Sequence, residues 1–133
     1  MRIKLFYKDY DCKLSLAAIK MFKESTGKDL LGTLTAIMEC FITSKQSGES
    51  IMQRIVGVSN VINQIDAAQL FYCLAKQSNK AITIAEIEDA VFHAGVMPSV
   101  DDNDDREPYQ VVMYKLAMDA NDYHNSLASG KKP

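Results

Sequence analysis

Apolar residues recur three and four positions apart in successive stretches of this chain, and glycine, proline or polar runs separate the stretches. Because 3.6 residues complete a helical turn, that spacing gathers them on one side of a helix. The chain is therefore expected to be mainly α, a compact helical domain of about five helices with a short extended N-terminal arm or strand. Leu14, Ala17, Ala18, Met21 and Phe22 mark the first helix, Leu16 and Ile19 widen its face, and Gly27 supplies its stop. The second is expected over residues 29–43, with Leu30, Leu31, Leu34, Ile37, Met38 and Phe41 on its face and Asp29 at its positive end. Polar residues 43–50 read as a surface loop. A short helix over 51–58 starts behind Ser50, although Gly57 and the β-branched residues weaken it. A longer one over 61–77 carries Val61, Ile65, Ala68, Tyr72 and Ala75 as one stripe, broadened by Ile62, Leu70, Phe71 and Leu74.

The best-defined element lies over residues 84–94. Thr83 and Glu86 form a capping-box pattern ahead of Ile87, Ala90, Val91 and Ala94, and Gly95 follows at the C-terminal turn position. A final helix over 108–127 opens with Pro108 in its first turn and continues through Tyr109, Val112, Met113, Leu116, Ala120, Tyr123 and Leu127. Near the start, residues 2–7 alternate imperfectly and hold β-favouring side chains, so they read as one strand or extended arm. A lone strand must pair with something. The expected organisation is a single domain over 1–128, with an arm at 1–10, a core at 12–95, an acidic linker at 96–107 and a terminal helix at 108–127. Residues 129–133, which lack apolar anchors, are expected to form a flexible tail.

With 133 residues and 47% hydrophobic content, the chain has material for one core without a metal or disulfide framework. Cys12, Cys40 and Cys73 are odd in number, far apart and set among apolar residues, which indicates reduced core-facing thiols. A cysteine nucleophile would need a histidine base, and no local signature ties His93 or His124 to any of them. The start Met1-Arg-Ile-Lys4 is charged too soon for a signal peptide, and no apolar run nears the roughly 20 residues of a membrane span. A cytoplasmic location is expected. Net charge is −2, but residues 1–30 hold seven Lys/Arg against four Asp/Glu, while residues 81–107 hold one against eight. That asymmetry suits the orientation of partners or neighbouring copies by complementary fields. It suits nucleic acid poorly: Lys4, Lys8, Lys13, Lys20, Lys23 and Lys28 would form a basic face only if arm and helices aligned.

Candidate chemical motifs fail on their spacing. Asp101, Asn103 and Asp105 match the first alternating ligands of an EF-hand loop, but Arg106 replaces the required glycine and Val112 the bidentate glutamate. Ser25 and Lys28 have the Ser-x-x-Lys spacing of some serine acylases without the companion motifs, and Gly27 ending a helix explains the segment better. Gly27-Lys28 lacks the earlier glycine and following Ser/Thr of a P-loop. No catalytic, cofactor-binding or metal-ligating residue is assigned, and no cofactor is expected. Met21, Met38, Met113 and Met118 read as packing residues, with an adaptable partner groove as the alternative.

Several segments nevertheless share a texture. They are Leu5-Phe-Tyr-Lys-Asp-Tyr10, Ala18-Ile-Lys-Met-Phe-Lys-Glu-Ser-Thr-Gly-Lys-Asp-Leu-Leu31, Ala67-Ala-Gln-Leu-Phe-Tyr-Cys-Leu-Ala75 and Ile82-Thr-Ile-Ala-Glu-Ile-Glu-Asp-Ala90. Across about the first 95 residues, this layout resembles the tail assembly chaperones of long-tailed bacteriophages. Glu24 and Gly27 stand where that family has Glu-x-x-x-Gly, with one residue fewer between them, and Thr83 and Glu86 retain its Thr-x-x-Glu helix start. The resemblance implies a non-enzymatic factor, acting as several copies or a homo-oligomer, that holds the tape-measure protein and tail-tube protein before tube polymerisation. It would act in the host cytoplasm and be left out of the mature virion. It also directs attention to Gly130, Lys131 and Lys132, because the family uses programmed frameshifting and lysine codons can supply a slippery run. The alternatives are a tail-completion or connector protein retained in the particle and, less favoured by composition, a small nucleic-acid-binding regulator.

Overall fold

A computed structural model describes residues 1–46, 48, 50–96 and 106–128. The described chain forms a β-hairpin, β1 (Arg2–Leu5) and β2 (Lys8–Asp11), followed by six helices: α1 (Leu16–Thr26), α2 (Leu30–Gln46), α3 (Ile51–Val61), α4 (Gln64–Lys76), α5 (Ile84–Ala94) and α6 (Tyr109–Ala128). The expected lone strand thus folds back on the next four residues, pairing Ile3 with Tyr10 and Leu5 with Lys8 in antiparallel register. Ile3, Leu5 and Tyr10 face the core while Arg2 and Lys4 face solvent. Met1 and Cys12 extend the ladder through bonds of 2.7 and 2.9 Å. Phe6 and Tyr7 make the turn with φ of 45° and 66°, the positive values of a type I′ hairpin, which Asn-Gly usually supplies. No turn residue announces this bend in the sequence.

Helix ends follow local chemistry. Ser15 caps α1 by accepting from the Ala18 amide, and Gly27 closes it at φ 76°, a left-handed position where a side chain would be strained. Asp29 accepts from the Gly32 amide at the start of α2, in keeping with the favourable site for a carboxylate. α2 then continues to Gln46, so helix occupies the first half of the stretch expected to be loop. Lys45 and Gln46 propagate a helix well, and the first glycine beyond them is Gly48.

Ser50 and Gln53 form a reciprocal capping box at the start of α3, which helps explain why that helix is fuller than the sequence suggests. α3 also takes Val61, correcting the expected 61–77 boundary. Asn63 caps α4 through the Asp66 amide, leaving Ile62 as a buried connector. α5 has the expected bounds and Thr83 cap, but the Glu86 carboxylate reaches out of the helix to Tyr10 and Lys8, at 2.9 and 3.1 Å. This stitches β2 to α5.

α4 is the spine, with Ala67, Leu70, Phe71 and Leu74 among its buried residues, and α1 and α5 both pack against it. α2 packs against α3 and α6. Instead of docking onto a core complete at residue 95, α6 belongs to that core: Tyr109, Val112, Met113, Leu116, Ala117 and Ala120 are buried, and α6 also meets β1, α3 and α4. The Tyr109 hydroxyl donates to the Ile62 carbonyl at 2.7 Å, and buried Gln110 donates to Ser59 and the Val96 carbonyl. These bonds attach both ends of the intervening segment to the body. Residues 97–105, including most of the acidic run, and the tail at 129–133 lie outside the described residues.

Candidate interaction surface

The groups with intrinsic reactivity are held in quiet surroundings. Cys12 and Cys73 are buried, Cys40 is half-buried, and all three are free thiols. Burial pushes the Cys12 thiol up to about 12 and Cys73 up to about 11, and raises Cys40 by the same cause, so all three stay protonated at neutral pH. His93 sits in the last turn of α5, its Nδ1 2.7 Å from the Asp89 carbonyl oxygen and its ring 5.4 Å from that of Phe6. His124 lines a groove of about 150 Å³ between α2 and α6, together with Leu34, Met38 and Ala120. Of the methionines, Met113 is fully buried and Met21 and Met38 pack against the core. Among the described residues, no group of three or more His, Cys, Asp or Glu side chains is placed to hold a metal, and no helix is long and apolar enough to cross a membrane.

Two of the six early lysines are drawn into pairs that brace the fold. Lys8 bonds to Glu86 and Lys28 to Asp66, while Lys23 Nζ donates to the Gly27 carbonyl at 3.0 Å. Ser25 and Lys28, matched above to a Ser-x-x-Lys spacing, are directed apart: the Ser25 hydroxyl donates to the Phe22 carbonyl and Lys28 turns to α4. The Lys8–Glu86–Tyr10 set also has an electrostatic consequence. The Tyr10 and Lys8 hydrogen bonds hold the Glu86 carboxyl below its ordinary value, and burial, followed by the Glu86 bond, raises the Tyr10 hydroxyl.

The unusual surface is apolar. Leu16, Ile65 and Phe92 are 80, 70 and 71% exposed, and they belong to α1, α4 and α5, of which α1 and α5 both pack against α4. Between α4 and α5, Ile65 and Phe92 border a groove of about 200 Å³ that Ala68 and Val91 also line, with Gln64 and Glu88 as its polar members. Gln64 is fixed by a bond from its side chain to the Val91 carbonyl, at 3.3 Å. Aromatic contacts continue the surface from Phe92 to His93, from His93 to Phe6 and from Phe6 to Tyr7, with ring centres 5.1 to 5.5 Å apart. A second, more open groove along α1 is lined by Leu16, Ile19, Lys20, Lys23, Glu24 and Asp29. Glu88 is the charged member of the α4–α5 groove, whereas the α1 groove mixes two lysines with two carboxylates.

Helical spacing had placed Ile65 and Leu16 on core faces. The observed buried face of α4 instead runs through Ala67, Ala68, Phe71 and Leu74, and Ile65 falls outside it. Leu16 begins α1 directly after its cap, turned away from buried Ala18 and Phe22. Phe92 carried a readable signal, since it lies off the stripe made by Ile87, Val91 and Ala94. Comparison with protein-family models, curated proteins and solved structures finds no match to this chain.

Proposed function

We propose that this protein is a non-enzymatic tail assembly chaperone of a long-tailed bacteriophage, binding the tape-measure protein and tail-tube components before the tube polymerises. The observation that carries the reading is the exposure of Leu16, Ile65 and Phe92, the last two at the edge of one groove. Large apolar side chains bordering a groove are the chemistry of a surface that covers another apolar surface. The segments resembling that family add support.

In this reading, several copies shield apolar helical stretches of a long client until tube subunits offer a better interface. The uneven charge of the chain, basic over residues 1–30 and acidic over 81–107, steers the encounter, and salt weakens that steering because the screening length is about 8 Å at physiological ionic strength. The test is to look for a long helical reading frame just downstream of this one and to co-express its product with this chain. Soluble client only in the presence of this chain, together with its depletion from purified particles, is the expected result. Intact chain at stoichiometric abundance in finished particles would replace the chaperone reading with a structural tail-completion or connector role.

A further inference from the structure

We draw no further inference here: the strongest candidate, the apolar groove between α4 and α5 bordered by Ile65 and Phe92, has Glu88 as its one charged lining residue, and nothing in the structure shows what covers it.

Discussion

Leu74→Ala tests the packing of the spine. Leu74 is fully buried in α4, the helix against which α1 and α5 pack, and its carbonyl also accepts from the Lys13 amide at 2.9 Å. The substitution removes three carbon atoms, and at about 0.8 kcal/mol for each the lost transfer energy is about 2.4 kcal/mol. An unrelaxed void of about 50 Å³ would add about 1.2 kcal/mol, which places the loss inside the range of about 2 to 5 kcal/mol for buried leucines. Equilibrium unfolding in urea should register this as a midpoint lower by about 1 M or more with an unchanged slope. Ile65→Ala, on the same helix but 70% exposed, should change stability by less than about 0.5 kcal/mol. A Leu74→Ala loss below about 1 kcal/mol, or equal losses for the two variants, would refute the division of α4 into a core face and a surface face.

Glu86→Gln should destabilise the protein at neutral pH by up to about 1 kcal/mol, a modest figure because both Glu86 and Lys8 are partly exposed. The folded-state pKa of Glu86 is depressed, so its contribution is present above the unfolded value of about 4.3 and is lost as pH falls through the lower folded value. Urea titrations should therefore show the gap between wild type and variant closing below about pH 4, and a gap that widens on acidification would contradict the stitch. At the hairpin tip, Tyr7→Asn should leave the protein at least about 1 kcal/mol more stable than Tyr7→Val, because asparagine tolerates the left-handed conformation and a β-branched side chain does not. Equal stabilities by chemical denaturation would show that the turn has changed its backbone.

The helices were legible in the sequence wherever a local rule applied. Thr83 and Gly95 delimited α5, Asp29 marked the start of α2, and Gly27 ended α1, because caps and left-handed stops act within a few residues. Their mainly α character followed from spacing alone. Tertiary contacts decided the rest. The hairpin depended on two aromatic residues adopting positive φ, a conformation their type does not signal, with the Phe6 ring set against His93. Periodicity could not separate a face that meets the core from one that meets solvent, so it grouped Ile65 with α4's buried residues and treated α6 as an addition to a finished core. A helix carries the same 3.6-residue pattern in isolation and in the fold, but the neighbours that cover one side of it come from distant parts of the chain. Only their arrival determined that Tyr109 would reach Ile62 and that Ile65 and Phe92 would remain uncovered.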